Sequence, residues 1–176
     1  MLKNAALAVL VLVLLVMAYA ATRPDSFRLE RAIVIQAPPE KVFAMINDFH
    51  EWGTWSPWEH IDAGLKRTFS GPAAGVGTAY GWVGDKTGVG HMEILESSPP
   101  SLIRIKLDFV KPFEAHNTTE FSLRGEGNAT SVTWAMYGPS PYISKLIGLF
   151  FSMDKVVGKD FETGLRNMKA AAEKAG

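Results

Sequence analysis

The sequence predicts an α+β fold: a curved antiparallel sheet wrapped around a long C-terminal helix, with two short helices after the first strand. Three observations carry that reading. Ile103, Ile105, Leu107 and Phe109 alternate with Arg104, Lys106 and Asp108, the period-2 pattern of a strand with one apolar and one wet face. Weaker alternations recur through the middle of the chain, separated by Gly- and Pro-rich breaks. From Met153 onward, Val157, Phe161, Leu165, Met168 and Ala172 return at helical spacing instead. Hairpin-linked strands with helices at both ends belong to the segregated α+β class, not to alternating βαβ units.

Each element follows in order. Arg28 to Gln36, with its β-branched Ile33-Val34-Ile35, reads as the first strand. Pro39 suits the first position of a helix, Glu40 complements its positive start, and Val42, Met45, Ile46 and Phe49 form an apolar stripe. A tryptophan-rich turn follows. Leu65 to Ser70 and Thr78 to Val83 are short strands, and Gly84 to Gly88 is a hairpin loop. Val89 to Ser97, Ile103 to Phe109, Glu114 to Leu123 and Ser131 to Tyr137 are the longer strands. Tyr142 to Phe151 is a very apolar helical segment that leads into the terminal helix.

The N-terminus differs in kind. Ala5 to Ala21 carries no charge, and seventeen helical residues reach roughly 25 Å against a hydrocarbon core of about 30 Å. Asn4 and Thr22 at the interfaces complete the span, with Tyr19 at one boundary. Residues 1–22 are thus expected to form a transmembrane anchor or signal segment, and 23–27, with Pro24, a linker to a domain over 28–176. Lys3 and the Ala18-Tyr19-Ala20 site also fit a secretory signal cleaved near Ala20. Either reading places the domain outside the cytoplasmic leaflet.

Composition excludes several classes. Eighteen basic residues balance eighteen acidic ones, so nothing marks a nucleic-acid partner. With no cysteine, disulfides, thiolate nucleophiles and cysteine metal sites are ruled out. His50-Glu51-Trp52-Gly53-Thr54 starts like the zinc motif but has Thr54 where the second histidine belongs, and the other histidines lack ligand spacing. Ser152-x-x-Lys155 has no supporting Ser-Asp-Asn or Lys-Thr-Gly element, and Gly75-x-Gly77 is a turn between strands. We therefore expect no metal, no cofactor and no assigned catalytic residue.

The strand, Pro-Pro helix and Trp-rich turn of residues 33–58 resemble the opening of the SRPBCC superfamily, the START-like and Bet v 1-like group that includes polyketide cyclases/dehydrases and lipid transporters. Trp55-Ser56-Pro57-Trp58, Ser70 to Gly77, Met92-Glu93-Ile94, Lys111 to Ala115 and Gly158 to Glu162 look like its membrane-anchored bacterial branch. The resemblance implies a helix-grip fold enclosing a cavity for hydrophobic molecules, with the domain on the periplasmic side of a bacterial inner membrane.

Strand alternation turns Tyr80, Trp82, Met92, Ile105, Phe109, Asn117, Phe121, Trp134 and Met136 inward, facing Phe161 and Leu165 on the terminal helix, with Trp55 at the cavity mouth. Such aromatics and methionines with few polar groups suit an apolar pocket. A filled core has the same composition. The expected function is membrane-tethered binding of a lipid or quinone-like molecule. The alternatives are a cyclase/dehydratase-like enzyme in the same cavity, and a ligand-free interaction domain with an exposed apolar patch around Ile143 to Phe151. Glu120 and His116, the candidates for acid–base work, fall on the outer face in this register.

Overall fold

The computed structural model describes residues 2–174, with side chains over 3–174; Met1, Ala175 and Gly176, included in the expected bounds, lie outside the described residues. Helix α1 (Leu2–Ala21) opens the chain. Over Lys3–Ala21 it is long and apolar enough to cross a membrane, a property shared by spans and signal sequences. Strand β1 (Ser26–Ile35) begins at Ser26, slightly before the expected Arg28.

Helix α2 (Pro39–Asn47) buries Val42, Phe43 and Ile46 and has proline in its first turn. It stops before Phe49. Asp48 turns extended, and its carboxylate accepts the backbone N–H of His50 at 2.8 Å, which caps a new turn. Two short 3-10 helices, Phe49–Thr54 and Pro57–His60, follow.

Six strands come next: β2 (Lys66–Ser70), β3 (Ala79–Gly84), β4 (Gly88–Ser98), β5 (Leu102–Lys111), β6 (Ala115–Glu126) and β7 (Ala129–Pro139). The final apolar stretch divides into α3 (Tyr142–Gly148) and α4 (Met153–Ala172). Ser152 makes the break: its hydroxyl accepts the backbone N–H of Lys155 and starts α4 afresh.

The seven strands form one antiparallel sheet in the order β1-β7-β6-β5-β4-β3-β2, so the first strand is carried across to pair with the last. Register sets the concave face. Leu29 lies opposite Met136, Phe121 opposite Trp134, Ile103 opposite Phe121, and Ile94 opposite Ile105. Helix α4 covers this face with Phe161, Leu165 and Met168 buried. Its start is held to β1 by Arg31, which donates to Asp154 at 3.0 Å and to Glu162 at 2.9 Å. Gly158 lies beneath that guanidinium, where a Cβ would force Arg31 to shift. This is the helix-grip architecture.

One end of the sheet gathers the start of β1, the end of β7, the β5–β6 loop and the β3–β4 hairpin: Ser26 pairs with Pro139, Thr118 with Tyr137, Phe109 with Ala115 and Gly84 with Gly88. Helix α1 enters at this end, and α3 leaves from it.

Candidate functional site: the concave face

The structure brings all twelve sequence-predicted site residues to the sheet–helix interior. Tyr80, Trp82, Met92, Ile105, Phe121, Trp134, Met136, Phe161, Leu165 and Trp55 are buried, whereas Phe109 and Asn117 are half-buried. That division separates a buried floor from a more exposed end.

The floor is made of rings. Trp134 stacks on Phe161 with centroids 3.9 Å apart and on Phe121 at 4.9 Å, while Trp55 meets Trp134 edge-on at 5.5 Å. Their polar tips are all partnered. Trp134 donates to the Thr119 hydroxyl at 2.7 Å, and that hydroxyl donates to the Ala135 carbonyl at 3.0 Å. Trp52 and Trp55 donate to the carbonyls of Ile46 and Met45, at 2.9 and 3.0 Å. The tryptophan-rich turn therefore packs down on α2 and closes this part of the interior. Gly164 accommodates Trp134: a Cβ there would sit 2.8 Å from the indole and 3.2 Å from Pro57.

Exposure of the apolar side chains rises towards the end that α1 enters. Leu107 pairs with Asn117, Phe109 with Ala115, and Phe27 with Gly138, and of these the apolar Phe27, Leu107 and Phe109 are half-buried yet packed against the core. Val157, from the first turns of α4, has the same intermediate exposure. Trp82 meets Phe109 edge-on at 5.7 Å and closes the β3 side. Glycines keep this end shallow: a Cβ at Gly138 would collide with Asn117, and one at Gly90 with Trp82.

A buried polar pair, missed in the sequence, sits beside the floor. Glu59 is 8 % exposed and accepts the Tyr80 hydroxyl at 2.7 Å and the Arg67 guanidinium at 2.6 Å. Burial first, and the Glu59 carboxylate second, push the Tyr80 hydroxyl well above the ordinary phenol range. The same carboxylate raises Arg67. No local pattern marks Glu59 as an inward residue; its partners Arg67 and Tyr80 lie on β2 and β3.

The outer face carries a second cluster. Asp108 on β5 lies between His91 on β4 and His116 on β6, 3.0 and 2.8 Å from their rings, with the Lys106 ammonium at 2.8 Å. Burial alone would raise Asp108, but Lys106 and His116 together hold it below the usual carboxylate range. The Asp108 carboxylate in turn raises His116. Glu120 also faces outward, bonded to Arg104 at 3.1 Å. These groups are on the far side of the sheet from the aromatic interior. Among the described residues, no group of three His, Cys, Asp or Glu side chains is arranged to hold a metal ion.

Solved structures share this architecture. A protein from Chromobacterium violaceum superposes with a TM-score of 0.61 at 19% identity, over 87% of this chain and 100% of its own. Ginseng major latex-like protein 151, from Panax ginseng, gives 0.61 at 12% identity, over 86% and 100%. The di-domain ARO/CYC BexL from the BE-7585A biosynthetic pathway gives 0.64 at 15% identity, over 90% of this chain and 54% of its own. At such identities these likenesses speak for the fold. Among curated proteins none matches. The family model described as polyketide cyclase / dehydrase and lipid transport matches residues 26–173, and the chain belongs to that family, within the SRPBCC superfamily.

Proposed function

We propose that the domain binds a hydrophobic small molecule, a lipid or quinone-like ring compound, between the concave sheet face and α4. In this reading residues 1–22 are an uncleaved membrane anchor, 23–27 a linker and 28–176 the binding domain, held outside the cytoplasm. One observation carries the reading: half-buried apolar side chains, Phe27, Leu107 and Phe109, are grouped at the end that α1 enters. Apolar burial contributes roughly 25 cal/mol per Å², so a ligand must cover more than about 160 Å² to outrun the smallest association cost of about 4 kcal/mol. An alkyl chain or ring laid along Leu107 and Phe109 is the kind of ligand that would supply such burial. Asn117 supplies a polar group for orientation.

The test is photo-crosslinking of the full chain in vesicles with a diazirine-bearing fatty acid. Adducts mapping to β5, β6 and the start of α4 support the site. Labelling confined to α1 contradicts it.

A second reading rests on the Glu59–Tyr80 pair. The buried Glu59 carboxylate, bonded to Tyr80 and Arg67, can take a proton from the carbon beside a bound carbonyl and return it to a departing hydroxyl, which leaves as water, as a dehydratase step requires. In that case an added β-hydroxy carbonyl probe loses the mass of water on incubation, and Glu59→Gln stops the change. A probe that keeps its mass removes this reading.

A further inference from the structure

The short helix α3 and the loop after it present an apolar surface that binding in the interior does not use. Ile143, Ile147, Phe150 and Phe151 are 63%, 49%, 74% and 72% exposed. The single charge in Tyr142–Met153 is Lys145, which is buried and paired with Asp25, so this surface offers no free cation. A patch of this kind in water is a liability unless something covers it.

The occupant follows from where α3 sits. The Tyr142 hydroxyl donates to the main-chain carbonyl of Met17, inside α1, at 2.9 Å, and Ala20 of α1 is fully buried. The stretch of α1 able to cross a membrane is Lys3–Ala21, 19 residues. At about 1.5 Å per residue it reaches roughly 28 Å, against a hydrocarbon core of about 30 Å. No residue of α1 is therefore spare. If α1 spans, Met17 lies within the apolar layer or at its edge, roughly one helical turn from the end of the helix. Tyr142 is bonded to that carbonyl and shares its depth. The Ser140 N–H bonded to the Asp25 carbonyl at 2.7 Å, and the Lys145–Asp25 pair, fasten both ends of this corner.

We propose that Tyr142–Met153 lies in the interface of the same bilayer that α1 crosses, with Ile143, Ile147, Phe150 and Phe151 inserted among the acyl chains. The proposal rests on the tethered reading above. Insertion is driven by apolar burial rather than by attraction to anionic lipid. Phe113, 78% exposed on the β5–β6 loop at the same end of the sheet, points to the same surface. The geometry also turns the half-buried end of the interior, with Phe27, Leu107 and Phe109, towards the membrane. A hydrophobic ligand then enters from lipid without crossing water.

The native chain has no cysteine, so single nitroxide labels can be placed cleanly at exposed positions. Full chains carrying Leu12→Cys, Phe151→Cys or Ser122→Cys are reconstituted in phosphatidylcholine–phosphatidylglycerol vesicles, and the label's collision rates with oxygen and with a water-soluble nickel complex are compared. The expected result is a several-fold higher oxygen-to-nickel ratio at both Leu12 and Phe151 than at Ser122. An unchanged ratio at Phe151 in neutral vesicles supports apolar insertion. A Phe151 label that is water-like while Leu12 is lipid-like overturns the docking and leaves the tether standing. A Leu12 label that is water-like, or lost by cleavage, overturns the tether itself and the docking with it.

Discussion

Replacing Gly164 by alanine asks directly whether the space between α4 and the sheet is filled at that point. In an unobstructed helix interior, glycine to alanine stabilises by about 1 kcal/mol. Here the new Cβ would stand 2.8 Å from Trp134 and 3.2 Å from Pro57. The indole has little room to retreat, since Phe161 is stacked on it at 3.9 Å, Phe121 at 4.9 Å, and its N–H is bonded to Thr119. Overpacking of this kind costs about 1–3 kcal/mol, which outweighs the propensity gain by roughly 1 kcal/mol. For a domain of this size that is a fall in Tm of about 2–4 °C. Thermal unfolding of the full chain in mild detergent, followed by tryptophan fluorescence, reads it. Gly148→Ala, where nothing lies within 4 Å, should show no such fall. Adding Trp134→Phe to Gly164→Ala should recover part of the loss, because the two sites are in contact. A rise in Tm for Gly164→Ala would refute the reasoning and place open space beside the glycine.

Other outcomes follow from the two polar clusters. Tyr80→Phe strips buried Glu59 of its phenol donor and leaves Arg67 as its remaining side-chain partner, a loss of about 1–3 kcal/mol readable as a lower Tm. A Tyr80→Phe protein as stable as the parent would show that the pair contributes nothing. For His116 the folded value is raised above the ordinary 6.5 by Asp108. Its contribution to stability is then fully present below pH 6.5 and is lost as pH rises through the folded value. NMR titration of the ring should give a midpoint above 6.5, and Asp108→Asn should bring it back down. An unmoved midpoint in that variant would contradict the assignment of the cause.

How far the sequence alone reached depends on how local the determinants were. The alternation Ile103-Ile105-Leu107-Phe109 survives intact in β5, because inner and outer residues of a half-wet strand differ in polarity at every step. Strand ends moved outward, to Leu102 and Lys111 in β5 and Glu126 in β6; in β6 the pairing continues through Arg124, Gly125 and Glu126, which carry no hydrophobic signal. The stripe Val42-Met45-Ile46-Phe49 is continuous in spacing, yet Asp48 caps a new turn and ends α2 before Phe49. The role of Gly164 is not legible in sequence, because a missing Cβ marks a close approach as readily as a gap, and only the position of Trp134 decides between them. Glu59 was invisible for a related reason: its burial depends on Tyr80 and Arg67, neither of which is its neighbour in a helical or strand pattern. The nearness of α3 to α1 likewise rests on tertiary contacts across more than a hundred residues.

The central claim is that a hydrophobic molecule binds at the half-buried end of the interior. Native mass spectrometry of the full chain, released from nanodiscs made of its own membrane lipids, tests it most directly. The account predicts a reproducible one-to-one apolar adduct that is lost in Phe109→Arg and kept in Ser122→Arg on the outer face. A chain that carries no adduct, or an adduct indifferent to Phe109→Arg, would contradict it.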